Sequence, residues 1–168
     1  QLQIHGNAPR KTEDTYPRFV SNNADSPMEG LDASGLTYRG GISYQGAQFY
    51  SKSAYGDKSM LIASWNGEKR FRAYSSSFDF NSEDSVVTTK NAAVSVYHGT
   101  DSVFHPVVEL EYEYGKGQLK MVPAKNGFKT TPFRTSFYNM DVVGDLLQWD
   151  LEKLQYQTSK FRFLQCPL

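Results

Sequence analysis

The segment VVELEYEY, residues 107–114, constrains this chain more than any other. Val108, Leu110, Tyr112 and Tyr114 alternate strictly with Glu109, Glu111 and Glu113. Successive side chains of a strand point to opposite faces, so the pattern demands a strand with one face packed and one wet. Upstream, Val94 and Val96 alternate with Ser95 and Tyr97 in the same way. Between the two lies HGTDSVFHP, with Gly99 and Asp101 as turn formers and Pro106 lacking a ladder donor. The reading for Ser85–Tyr114 is strand, fixed loop, strand. His98, Asp101, Ser102, His105 and Pro106 hold the loop, and Asp101→Ala is expected to cost about 1 kcal/mol.

Similar short strands recur along the chain. MLIASW reads as a short strand, and Asn66-Gly67 after it is the strongest hairpin signal present. Gly115-Lys116-Gly117 and Lys125-Asn126-Gly127 mark further turns, Phe133–Val143 is aromatic and β-prone, and KFRFLQC reads as a closing strand. Turns at roughly 8–12-residue spacing indicate an all-β fold. It is an antiparallel sandwich or jelly-roll-like domain, or a β-solenoid, with little or no helix. Tyr38, Tyr44 and Tyr50 recur every six residues, which keeps the solenoid open; Gly40 and Gly46 mark bends or close backbone approach. DLLQWDLEKLQYQ is ambiguous. Val143, Leu146, Leu147, Leu151 and Leu154 suit a short helix within 142–155, while Leu147, Trp149 and Leu151 suit a strand with a bulge near Glu152-Lys153. The strand fits better because Gly144 weakens a helix.

The domain division follows composition. Residues 1–35 are polar and broken by Pro9, Pro17 and Pro27, so they form an extended arm, with TYPRFV anchoring it as a strand. Residues 36–168 form one β domain, read as a piece of a larger protein. A chain of 168 residues buries about 70% of its unfolded surface, enough for a core without staples. Its 18 basic and 18 acidic residues balance, which argues against a nucleic-acid partner. No apolar run approaches the roughly 20 residues of a membrane span. Cys166 stands alone, so no internal disulfide or cysteine-rich zinc site is available; the sequence assigns it no role.

The search for chemistry yields little. Asp101, Ser102 and His105 are the ingredients of a hydrolase triad, but no G-x-S-x-G elbow surrounds the serine. His98, Asp101 and His105 are a weak ligand cluster, and neither a metal nor a cofactor is expected. Glu109, Glu111 and Glu113 lie about 7 Å apart on one face and read as a solubility rail rather than a glycosidase pair. No phosphate-cradling glycine motif occurs. The aromatic middle of the chain is the remaining candidate. Tyr38, Tyr44, Tyr50, Trp65 and Tyr74, with Tyr55 nearby, could stack on sugars or grip a protein, although most such rings belong to cores.

KNAAVSVYHGTDSVFHPVVELEY resembles a segment of very large exported β-rich envelope proteins of Bacteroidetes, of unassigned function. TYPRFVS, YRGGISYQGAQF, PFRTSFYNMD and LLQWDL are similar to flanking segments in the same order, so the likeness runs from Tyr16 to Leu151. Phe137-Tyr138-Asn139 departs from it where a Tyr-His pair is expected. The resemblance implies export to the periplasm or cell surface, a structural or interaction role, no enzyme activity and no cofactor. The expectation is a non-enzymatic envelope domain with a protein or glycan partner. A carbohydrate-binding module and a hydrolase centred on Asp101, Ser102 and His105 are the alternatives.

Overall fold

The computed structural model describes residues 17–22, 25–27, 35–45, 48–51, 58–81, 83–124, 131–151, 153, 155–159 and 162–165. Gly46, Tyr55, Lys125-Asn126-Gly127 and Cys166, singled out in the sequence, lie outside them. The first strands are β1 (Arg18–Val20), β2 (Ser26–Pro27), β3 (Leu36–Gly40), β4 (Ser43–Gln45), β5 (Gln48–Tyr50), β6 (Ser59–Trp65), β7 (Glu68–Ser75) and β8 (Asp79–Asn81). Two long strands follow, β9 (Val86–His98) and β10 (Asp101–Glu113). The rest are β11 (Gln118–Pro123), β12 (Phe133–Thr135), β13 (Met140–Val143), β14 (Leu146–Asp150), β15 (Gln155–Ser159) and β16 (Arg162–Gln165). The helical content among the described residues is one 3-10 turn, Phe137–Asn139.

Every pairing among the described residues is antiparallel. The chain is therefore all-β as expected. The solenoid alternative is corrected, because solenoid rungs stack in parallel. The short helix within 142–155 is corrected too. Leu147 and Trp149 pair with Met121 and Leu119 of β11, and β15 folds back along β14, so the chain turns around Leu151 and Lys153 instead of bulging. The Asn66-Gly67 hairpin forms as read, with both residues at positive φ. TYPRFV contributes β1, which pairs with β4.

The expected loop HGTDSVFHP is not a loop. Only Gly99 and Thr100 connect the strands, with His98 opposite Asp101 and Gly99 at φ 59°. A two-residue turn of this kind needs a positive φ, which glycine adopts without strain. What looked like a loop is the first half of β10. Its alternation changes phase: Val103 and His105 face the core, then Val108, Leu110 and Tyr112 do. The phase change is a bulge, with Pro106 and Val107 inserted between the His105–Val94 and Val108–Ala92 pairs. A bulge is a place where proline's missing donor costs little. Lys90 and Asn91 form the matching insertion on β9, between the Val108–Ala92 and Leu110–Thr89 pairs.

These two bulges bend the hairpin and divide the fold. Beyond the bend, toward the turn, β9 pairs with β7 and β10 with β12. Before it, β9 pairs with β8 and β10 with β11. The strand network thus separates into two layers that share β9 and β10. Layer I runs β2-β3-β6-β7-β9-β10-β12-β13-β16 and layer II runs β1-β4-β5-β8-β9-β10-β11-β14-β15. Strands that change sheets through bulges make the corners of a β-sandwich.

The layers meet face to face. Phe71 of layer I sets its ring edge-on to Tyr112 of layer II at 4.8 Å between centroids. Tyr38 of layer I meets Phe80 of layer II at 5.6 Å, also edge-on. Tyr38 donates to the Gly41 carbonyl and accepts from the Ser59 hydroxyl, and a Cβ on Gly40 would lie 2.2 Å from that same Oγ. Gly40 is therefore a close approach, one of the roles read for the glycines of this segment.

Burial pushes the Tyr112 phenol up to about 12. The unfolded phenol ionises near 10, so above that pH the unfolded chain loses a proton that the fold retains. Stability from this group is complete below about pH 10 and falls as pH rises toward 12, by up to about 3 kcal/mol. Denaturant titrations of wild type and Tyr112→Phe at rising pH check this. The variant should lose less stability across that interval, although Tyr38, also raised mainly by burial, retains part of the slope.

Candidate functional site

His105 lies at the bend, 1% exposed, in a row of inward residues formed by Tyr38, Leu61, Ala73 and Val94. Its ring packs against Phe133 at 4.6 Å. Both nitrogens are committed to backbone. The Val107 amide donates to Nδ1 at 3.1 Å, so Nε2 carries the proton and donates to the Thr131 carbonyl at 2.9 Å. Burial lowers the imidazole pKa, with the Thr131 carbonyl pulling the other way. Protonation would also set a second N–H against the Val107 amide. The residue holds the bulge closed and ties it to the segment leading into β12.

Asp101 and Ser102 serve the other end of β10. Ser136 Oγ donates to Asp101 Oδ1 at 2.8 Å and accepts from the Ser102 amide at 2.8 Å. The Ser136 amide in turn donates to the Ser102 carbonyl. His98 sets its ring against Phe137 at 6.3 Å. The hairpin tip is thereby clipped to the end of β12, not capped within itself as the sequence suggested. Asp101→Ala is expected to lower stability by about 1 kcal/mol, one exposed hydrogen bond to a carboxylate. An unchanged melting temperature would contradict the clip.

The three residues of a triad are therefore not brought together. Asp101 and Ser102 point to opposite faces of β10, and His105 lies four residues, about 13 Å, beyond Asp101 along an extended strand. His98 and His105 are held apart in the same way. Among the described residues no three His, Cys, Asp or Glu side chains cluster as metal ligands.

The glutamate rail lies on the outer face of layer II, partly neutralised. Lys120 bridges Glu111 at 2.7 Å and Glu113 at 3.2 Å, and Lys116 adds a 2.6 Å contact to Glu113. Hydrogen bonds from Lys116 and then Lys120 hold the Glu113 carboxyl below its usual range; Glu111 and then Glu113 raise the Lys120 ammonium. Beside the rail, on the outer side of the bend, is a cleft of about 320 Å³. Asp79, Glu109 and Lys90 stand at its walls, and Leu110, Val122 and Leu146 supply apolar lining.

The aromatic candidates disperse. Tyr38 is buried at 1% exposure and belongs to the core, which corrects its reading as a ligand contact. Its neighbours show why: Leu36, Tyr38 and Gly40 are buried while Thr37 and Arg39 are exposed. Tyr44, 46% exposed, pairs across β1–β4 with exposed Phe19. Tyr50 is half-buried opposite Ser43, on the other face from Tyr44. Trp65 is half-buried at the end of β6, and Tyr74 lies on the outer face of layer I.

Around Tyr74 is a group that the sequence reading missed. Arg72 lies over the Tyr74 ring at 5.3 Å and Lys69 over the Tyr97 ring at 4.7 Å. Register places Arg72, Ser95, Phe104 and Arg134 in one row across the outer face, with Asp141 next to Arg134. Tyr74 and Phe104 are each 36% exposed. The alternation in RFRAYS already placed Arg72 and Tyr74 on one face; the cross-strand neighbours were not readable.

No protein-family model matches the sequence, and no curated protein matches it. Among solved structures, the chain is similar to LptH, the LptA-homologous periplasmic component of the lipopolysaccharide transport device of Pseudomonas aeruginosa. The TM-score is 0.42 at 10% identity, covering 94% of this chain and 100% of that one.

Proposed function

We propose that this chain is a non-enzymatic β domain of an exported bacterial envelope or surface protein, and that it holds a protein partner on the outer face of layer I. The observation that carries this reading is the exposed Tyr74 and Phe104 set among Arg72, Lys69 and Arg134 on one sheet face. Aromatic side chains and arginine are the residues enriched at protein interfaces and their hot spots. The residues with catalytic potential are engaged in the framework: His105 closes a bulge and Asp101 clips a hairpin. A sugar-stacking role for this face is less favoured, because cations already lie over the Tyr74 and Tyr97 rings.

Photo-crosslinking in the native host tests it, with a benzophenone amino acid at position 104 and, as control, at the exposed turn residue Glu83. Discrete protein adducts at 104 and none at 83 are the expected result. Adducts at neither position, or equally at both, would overturn the reading. Recovery of the full-length protein in the cytoplasm would overturn its export.

A further inference from the structure

The outer faces of the two layers differ in character. Layer I presents Phe104 flanked in register by Arg134, with Arg72 in the same row. Layer II presents the cleft at the bend, lined by carboxylates and by the exposed side chain of Val122. Asp79 and Glu109 have no ion-pair partner among the described residues. A cationic aromatic knob and an acidic, apolar-lined cleft are thus carried on opposite sides of one molecule.

We propose that the cleft receives Phe104 and its flanking arginines from a second copy of this chain, which rests on the reading of layer I as a docking face. The apolar ring would cover Val122 and Leu146. The guanidinium groups would face Asp79 and Glu109, and planar guanidinium matches carboxylate in a bidentate way. Lys90 in the same lining, the one cation of the cleft without an ion pair among the described residues, opposes this and weakens the contact. Knob and cleft are different surfaces, so the contact is head-to-tail and does not close into a dimer. It builds short open chains whose length grows with concentration.

Sedimentation velocity over a concentration series, at about 0.01 M and about 1 M salt, reads this directly, because screening lengths differ tenfold between the two. Wild type should associate at low salt and return to monomer at high salt. Asp79→Lys/Glu109→Lys makes the cleft basic, and Arg72→Glu/Arg134→Glu makes the knob acidic. Each variant alone should weaken association by about tenfold or more. Mixing the two should restore it, since every mixed contact again joins opposite charges. Wild type that stays monomeric in both salts overturns the proposal, as does association that neither variant changes or that mixing fails to restore. Monomeric wild type with crosslinks to other proteins at position 104 overturns the second-copy assignment alone. Self-association without any crosslink at 104 to another protein leaves the second copy as the occupant of the face.

Discussion

Replacing His105 by alanine is expected to destabilise the protein by about 4 kcal/mol. Truncating a buried ring costs about 3 kcal/mol. The Val107 amide, left without an acceptor inside a bulge, adds about 1 kcal/mol. The Thr131 carbonyl adds less, because Thr131 is exposed and water can replace the imidazole. His105→Phe separates the two contributions: it fills the site against Phe133 but makes neither hydrogen bond, and should cost about 2 kcal/mol. Urea denaturation near neutral pH measures both. Acid adds a third test. The folded imidazole pKa lies below the ordinary 6.5, so its contribution is complete above about pH 6.5 and is lost as pH falls toward the folded value. His105→Phe should lose that part of the acid dependence.

Phe71→Ala is expected to cost about 4 kcal/mol, because the ring is fully buried between the layers. The value alone would fit any core phenylalanine, so the informative quantity is its coupling to Tyr112. Edge-on aromatic pairs contribute about 1 kcal/mol beyond burial. A double-mutant cycle of Phe71→Ala and Tyr112→Ala should therefore return a coupling of about 1 kcal/mol. Additivity within about 0.3 kcal/mol would mean that the rings do not meet and that the layers do not face each other there.

Local alternation carried much of the fold. VVELEYEY gave the second half of β10, and Asn66-Gly67 gave the β6–β7 hairpin, because both signals lie within a few residues of chain. The error at HGTDSVFHP has an identifiable physical source. A change of phase in the alternation, a proline and turn-forming residues together read as a loop, yet a bulge within a continuous strand shows the same three signs. What separates the two is long-range: Thr131 meets His105 across 26 residues and Ser136 meets Asp101 across 35. Tyr38 was misread for the opposite reason. Its burial follows from alternation with Thr37 and Arg39, but its aromatic type drew attention to ligand binding. The outer cluster of Arg72, Tyr74, Phe104 and Arg134 depends on register across four strands, which no single segment states.

The bend in the β9–β10 hairpin organises both layers, and its closure rests on the hydrogen bond from the Val107 amide to His105 Nδ1. Nitrogen-15 correlation spectra of the histidine ring test that bond most directly. The expected result is a neutral ring protonated on Nε2, with Nδ1 an acceptor, persisting below the pH at which an exposed histidine would charge. A ring protonated on Nδ1, or one that titrates at the ordinary value near 6.5, would contradict the bend as described.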